Sequence, residues 1–443
     1  MRYAQATPTE VGMKGLPRAV RVSCIFSVFS VKWNRKPKIK VMLVLEAKLK
    51  GKDWQYELLS EAIRTANFIR NKAVRYWMDN RGVDKNDLQK LCAILAKEYE
   101  WAGKLNSQAR QSSADRAWLA ISGFYANCKE GKPGKKGFPK FKKRRRAVEY
   151  KQTGWKLAED RKKISFTDGF KAGSFKLIGS RDLNFYQPSQ IKRVRVVKRA
   201  DGFYCQFLVD VERSEPQSPT SKAVGIDLGL EYFYTDSEGN QVENPRFLRK
   251  SEKSLKRLQR RVSQKKKGSK NRKKAINKMA RKHLKVSRQR REFAVKTART
   301  LVTSSDVIVY ENLKVSNLVK NHKLAKSISD VAWYMFTMWV DYFAKIYGVH
   351  VMSVAPHFTS QDCSGCGERV KKSLSTRTHK CPSCGLIEHR DLNAAKNILA
   401  KGLGIKSTAG HAETQKLGET DPLVCVEKST RVKVSRRAKN PTP

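Results

Sequence analysis

No apolar run in this 443-residue chain approaches 18 residues, the length a helix needs to cross a bilayer, so a membrane-spanning helix is excluded. Acidic residues are scarce. Forty Asp and Glu stand against 93 Lys and Arg, a formal net charge of +53. A fold with that excess repels itself unless a polyanion neutralises it, and nucleic acid is the natural partner. No internal repeat is visible. A disulfide framework is also missing: Cys24, Cys92, Cys128, Cys205 and Cys425 are scattered, which fits reduced thiols in a cytoplasmic, nucleoid-associated protein. The apolar run at Cys24-Ile25-Phe26 follows basic residues, but no small-residue cleavage site follows it, so it is not read as a signal peptide. What is present is material for real cores. The chain has 8 Trp, 14 Tyr and 18 Phe, and its length allows two to four domains.

Residues 1–41 show no clear periodicity and read as a poorly structured extension. Met42 opens an alternating strand. Helices are expected over 54–77, with Leu58, Ala62, Ile69, Ala73 and Tyr76 on one face, and over about 85–101 and 107–128. Residues 131–146 are rich in Gly, Pro and Lys/Arg with interleaved Phe. Gly and Pro forbid a helix at the start of this stretch. Lys135, Lys136, Phe138, Lys140, Lys142, Lys143 and Arg144 are its candidates for gripping phosphates and stacking bases. Short strands follow over 148–212. The first domain, 42–213, is therefore expected to be a small β-barrel with a helical bundle inserted at about 52–130.

A Pro/Ser-rich linker, 214–220, leads into a second domain at 221–404. Strands are expected at 223–227, at 232–235, and near Phe247 after the turn Ser237-Glu238-Gly239-Asn240. Residues 261–290 carry fourteen Lys/Arg and no Asp or Glu within a helical pattern, as a phosphate-gripping face would. A strand then runs over 306–311. Ser329 and Asp330 are the expected cap of a helix running to Tyr347. A strand at 349–354 and a helix at 391–400 complete the domain, and the tail 405–443 reads as flexible.

Two features carry chemistry. Cys363-x-x-Cys366 and Cys381-x-x-Cys384 present four thiolates to one zinc ion, and their Gly and Pro suit tight knuckles. Four thiolates leave no position for water, so the zinc is structural, in a ribbon over 357–390. Asp227 and Glu311 each end an apolar strand, and Asp391 opens a helix. In a β-β-β-α-β-α-β-α order these three acids match a ribonuclease-H-like nuclease core. Crowded carboxylates repel each other, and divalent cations remove that penalty. Two Mg²⁺ ions, with Asp227 bridging and Glu311 and Asp391 each holding one, would suit phosphodiester hydrolysis. Standing apart, Glu311 would be a strand end and Asp391 a helix-dipole residue.

The segments GIDLG, VYENLKV, the two CxxC knuckles and HRDLNAAKNI, in that order, resemble the TnpB family of insertion-sequence proteins, as does GKKGFPKFKKRRR. The resemblance covers roughly residues 42–404. It implies a transposon-encoded RNA-guided DNA endonuclease related to type V CRISPR effectors. The implied fold is multidomain α+β: a wedge-like β-barrel with an inserted helical bundle, then a RuvC-like nuclease domain with an inserted zinc ribbon. Asp227, Glu311 and Asp391 fall on the family's metal-binding acids, and the four cysteines on its zinc ribbon. Implied partners are a guide RNA from the transposon end and double-stranded target DNA with a short flanking motif, bound by a monomer. Base pairing reads sequence while the protein holds backbone charge. Family members begin near the first strand, which points to Met42 rather than Met1 as the start. The alternatives are a strand-joining transposase, whose acids run Asp, Asp, Glu, a non-cleaving nucleic-acid-binding regulator, and a CRISPR-associated effector.

Overall fold

The structure, a computed structural model, describes residues 39–408 except Pro216 and Leu374. The N-terminal extension up to residue 38 and the tail from residue 409 lie outside the described residues. The first strand, β1 (Ile39–Lys50), begins three residues before the expected Met42. Its ladder with β7 (Gly202–Arg213) runs from Ile39↔Arg213 to Lys48↔Tyr204. Along β7, Phe203, Cys205, Phe207, Val209 and Val211 alternate into the core, the period of a strand with one buried face.

Five more strands complete an antiparallel sheet: β2 (Ala147–Tyr150), β3 (Trp155–Leu157), β4 (Lys163–Phe166), β5 (Ser174–Ile178) and β6 (Ile191–Arg199). The order is β2-β6-β7-β1-β5-β4-β3. The two end strands are consecutive in the chain. Five residues from Tyr150 to Trp155 span at most ~18 Å, so the sheet must curl until its edges approach. Three helices are inserted between β1 and β2: α1 (Asp53–Asp79), α2 (Lys85–Glu98) and α3 (Ser107–Lys129). α1 buries Leu59, Ala62, Ile63, Ala66, Ile69, Ala73 and Val74, the helical spacing of a core-facing stripe. The helix expected over 85–101 breaks at Tyr99, whose backbone is extended, and a single turn follows. Glu149 of β2 is buried and accepts from Arg116 of α3 and from Arg193 and Arg195 of β6, so one carboxylate fastens the insertion to the sheet.

The second body is built on β8 (Ala223–Asp227), β9 (Tyr232–Asp236), β10 (Gln241–Glu243), β11 (Val307–Glu311) and β12 (His350–Val354), in the order β10-β9-β8-β11-β12. β8, β9 and β10 are antiparallel, while β8, β11 and β12 run parallel. The third strand is not at Phe247. That residue opens α4 (Phe247–Ser263), and α5 (Lys270–Thr303) follows after a turn at Gly268, whose φ is +84°. The basic segment is thus a helical hairpin. On one face of the sheet α5 and α7 (Trp333–Tyr347) enclose Ile226, Phe233, Ala298, Leu301, Ile308, Phe336 and Val340.

Ser329 and Asp330 do not cap α7. They lie inside α6 (Ala325–Val331), and the chain breaks between the two helices at Ala332, φ +60°. The Asp330 carboxylate caps a different helix. It accepts the N–H groups of Leu248 (2.9 Å) and Arg249 (3.2 Å) at the start of α4 and pairs with Arg290 at 2.7 Å.

The opposite face of the sheet carries α8 (Arg390–Thr408), longer than the expected 391–400. Its approach is set by glycine. A Cβ at Gly225 of β8 would stand 2.3 Å from the Ala395 carbonyl oxygen and 2.7 Å from the Leu399 nitrogen, and one at Gly402 would meet Val309 at 2.6 Å. Backbone therefore packs on backbone, and a methyl group has no room there. Gly225→Ala is expected to destabilise the protein by about 1–3 kcal/mol or more. Gly404→Ala, on the same helix but where an added Cβ would meet nothing within 4 Å, should be neutral or stabilising by up to ~1 kcal/mol. Thermal unfolding of the two variants checks the sign difference.

Candidate functional site

Asp227 is the last residue of β8 and Glu311 the last of β11. The parallel ladder pairs Val307 with Ala223 and Tyr310 with Ile226, so Glu311 and Asp227 each follow its last pair by one residue, and the Glu311 charge acts on Asp227. Asp391 is the second residue of α8 and is buried, as is Glu311. The glycine-mediated contact of α8 with β8 lowers this helix onto the strand ends, and the three acids meet at the carboxyl edge of the parallel strands.

Their electrostatics follow from that crowding. Burial pushes the Asp227 carboxyl well above the usual range, and the charges of Glu311 and Asp391 push it further, against a smaller opposing effect from Arg390. Burial also raises Glu311, offset by the Thr359 hydroxyl that donates to its Oε1 and by the Lys401 charge. Such a group of hard oxygen ligands, destabilised as anions, suits a hard divalent cation that takes the place of the extra proton. The three carboxylates are spread more widely than the cysteines: among the described residues, only the cysteine quartet brings its ligand atoms all within 4.8 Å of one another.

That quartet is Cys363, Cys366, Cys381 and Cys384. Cys363 Sγ lies 3.6 Å from Cys384 Sγ, and Cys366 Sγ lies 3.5 Å from Cys381 Sγ. A tetrahedron with zinc–sulfur bonds of ~2.3 Å has edges of about 3.8 Å, so the cluster fits a structural zinc ion. The backbone N–H groups of Cys384 and Ser383 help hold the Cys381 thiol down to about 6, toward the thiolate that a metal needs. A short hairpin, β13 (Thr378–Lys380) and β14 (Ile387–His389), leads from the knuckles straight into α8.

Residues that sequence reasoning missed join the two sites. Asn393 accepts from the Ser364 N–H at 2.9 Å and donates to the Asp362 carbonyl at 2.8 Å. One turn on, Asn397 donates to the carbonyls of Thr359 (2.8 Å) and Asp362 (2.6 Å). Both amides are buried in α8 and bolt the first knuckle to the helix that carries Asp391. Two Asn four residues apart on an otherwise apolar face were the available signal. Thr359, which orients Glu311, had none.

The basic loop is placed elsewhere, on the helical insertion. Lys135, Lys140, Lys142, Lys143 and Arg144 are exposed and Lys136 is half-buried. The buried Arg70 donates to the Lys140 carbonyl at 3.0 Å, and Asn67 donates to the Lys142 carbonyl at 2.8 Å. Phe138 is half exposed and rests on Trp77 and Phe124, with ring centroids 5.4 and 5.3 Å away. It is an anchor for the loop as much as a free stacking face. Among the described residues, no helix is long and apolar enough to cross a membrane.

Two outcomes are expected. Asp227→Asn should raise the melting temperature of metal-stripped protein at pH 8 by about 2–4 °C per kcal/mol of repulsion relieved. Because the raised carboxyl costs stability only when ionised, the gain should shrink as pH falls and wild-type Asp227 takes up its proton. Cys381→Ser should reduce bound zinc, measured by metal analysis, to well under one equivalent and lower stability by several kcal/mol.

A family model described as "Probable transposase" matches residues 206–322, and one described as "Cas12f1-like, TNB domain" matches residues 333–398. A Streptomyces pristinaespiralis protein named "Putative RNA-guided DNA endonuclease" is 40% identical over 207 residues, 46% of this chain and 51% of the relative. The Escherichia coli K12 protein named "Putative RNA-guided DNA endonuclease InsQ" is 31% identical over 325 residues, 69% of this chain and 77% of the relative. The chain thus aligns with about half of the first protein and three quarters of the second. Among solved structures, the Cas12f1–sgRNA–target DNA complex superposes with a TM-score of 0.50 at 15% identity, covering 78% of this chain and 83% of that one. That match shows a shared mixed α/β fold.

Proposed function

Since the chain belongs to the TnpB family of insertion-sequence proteins, we propose that it is a transposon-encoded RNA-guided DNA endonuclease. The observation that carries the reading is the meeting of Asp227, Glu311 and Asp391 at the carboxyl ends of two parallel strands and the start of α8. Residues 221–404 form the RuvC-like, ribonuclease-H-like nuclease domain, and residues 357–390 its zinc ribbon. Residues 42–213 form the wedge-like barrel, with the helical insertion at about 52–130 as its recognition part. The partners are a guide RNA and double-stranded DNA bearing a flanking motif, held by a monomer. The exposed cations of residues 131–146 and of the α4–α5 hairpin supply the backbone contacts.

Two Mg²⁺ ions held by the three acids would supply a polarised phosphate, an activated water and a stabilised leaving oxygen. Everything else falls to the protein. Both other acids act on the Asp227 charge, so Asp227 would share in holding both ions. Thr359 fixes the orientation of Glu311. Asn393 and Asn397 fix α8, and with it Asp391. The description "Probable transposase" favours a strand-joining reading, but the acids run Asp, Glu, Asp along the chain, which suits hydrolysis better.

Asp227→Ala is expected to abolish cutting of a guide-matched DNA, by at least ~10³-fold, while guide and target binding survive in a gel-shift assay. Chelation should do the same to the wild type, and added Mg²⁺ should restore it. Undiminished cleavage by Asp227→Ala would overturn the assignment.

A further inference from the structure

A cavity of about 350 Å³ opens between the segment that follows β8, the start of α4, α6 and Arg377 of the cysteine-knuckle segment, within the size range of small-ligand sites. Its walls carry four cations, Arg246, Arg249, Lys326 and Arg377, against two carboxylates, Glu231 and Asp330. Asp330 is already engaged by the start of α4 and by Arg290. Glu231 is held at 3.0 Å by Arg377, and Glu252 engages Arg249 and Lys326 from outside the lining. The wall therefore keeps a positive excess around a space large enough for one nucleotide.

The rim is built. Arg246 stands in the left-handed region, φ 48° and ψ 47°, a conformation of order 1 kcal/mol or more above the ordinary one for a residue with a side chain. Asn244 holds it there, accepting the Arg246 N–H at 3.2 Å and donating to the Leu230 carbonyl at 2.8 Å. Both ends of the cavity are tied to the acids. Leu230 follows Asp227 by three residues, at most ~11 Å of chain. The Arg377 carbonyl accepts the N–H of Arg390, the neighbour of Asp391, at 2.7 Å.

We propose that this cavity is a nucleotide subsite for the DNA strand being cut. It takes one nucleotide next to the scissile bond, with that nucleotide's phosphate against Arg246 and Arg377. The proposal rests on the nuclease reading of Asp227. It adds what that reading lacks, a grip that sets the register of the strand across the three acids. A phosphate so placed gains charge-assisted hydrogen bonds, which are roughly twice as strong as neutral ones.

The test uses the full chain with its guide RNA and DNA substrates carrying a neutral methylphosphonate link at successive positions of the cut strand. In the wild type, one link flanking the cleavage point should slow cutting about 10-fold. Arg246→Gln and Arg377→Gln should each cut the natural strand about 10-fold more slowly, and the neutral link should cost them little more. A penalty that is undiminished in both variants, or the absence of any sensitive position in the wild type, would overturn the subsite. Sensitivity to a neutral link in the guide RNA instead would also overturn it, by placing RNA in the cavity. Salt-dependent binding of the single DNA strand gives a second readout that needs no cleavage. Arg246→Gln should lower the slope of log affinity against log salt by about 1, and an unchanged slope would overturn the proposal. A wild type that binds with the full slope but never cuts would fail the nuclease reading alone.

Discussion

The approach of α8 to the sheet governs the site. Where Gly225 faces Ala395 and Leu399, helix and strand are closer than any side chain allows. A larger residue there would push the helix outward, and Asp391 sits one turn before the contact. The packing distance of a core helix and the spacing of three carboxylates are thus one quantity. This also accounts for the location of the electrostatic cost. Burial, and after it the crowding of three acids, raises the protonation tendency of Asp227, a penalty that the apolar core behind the strands, Val309, Val354 and Ile398 on the α8 face, must outweigh and that a cation would offset.

Scarcity of acid shapes the rest of the molecule. With 40 acids for 93 bases, several carboxylates serve as hubs for more than one cation. Glu149 gathers Arg116, Arg193 and Arg195, and in doing so ties the helical insertion to the curled sheet. Glu252 gathers Arg249, Lys256 and Lys326 on the surface of α4 and α6. Asp330 serves a helix N-terminus and Arg290 together. The exposed pairs add little, since water and salt screen them, but loss of a buried hub strands several guanidinium groups without a partner. The remaining cations are the excess that a polyanion would neutralise.

What was legible in the chain was local. Alternation announced β1 and β7, the 3.6-residue stripe announced α1, and the CxxC spacing announced the zinc cluster, because each signal and its cause lie within a few residues. Misreadings arose where the partner lies far away. Asp330 carries the chemistry of a helix cap, yet it caps α4, 82 residues earlier. Phe247 is apolar enough for a strand, but the N–H groups that follow it are satisfied by that same distant carboxylate, so a helix begins there. Thr359 gives no sign in sequence of the carboxylate it serves, and the spacing of Asn393 and Asn397 marks a shared face without naming the carbonyls they reach. The three acids were readable as strand and helix ends, but their meeting depends on a glycine whose role appears only in the packed structure.

The cysteine quartet and the proposed metal site at the acids divide by ligand softness. The knuckles offer thiolates in a closed tetrahedron, suited to an ion that never exchanges a ligand during turnover. The acids offer hard oxygens at the carboxyl edge of the parallel strands, which would suit ions that share their coordination with a phosphate. Their coupling runs through protein. Knuckle carbonyls and an N–H are held by Asn393 and Asn397, and the same segment places Thr359 on Glu311. Without zinc, the turn that presents the Asp362 carbonyl loses its anchor, so both amides lose buried partners, at about 1–3 kcal/mol for each unsatisfied group. The acids themselves would be untouched, but the helix and the threonine that aim two of them would be released. A zinc ion at the knuckles would therefore position the acids without entering their chemistry.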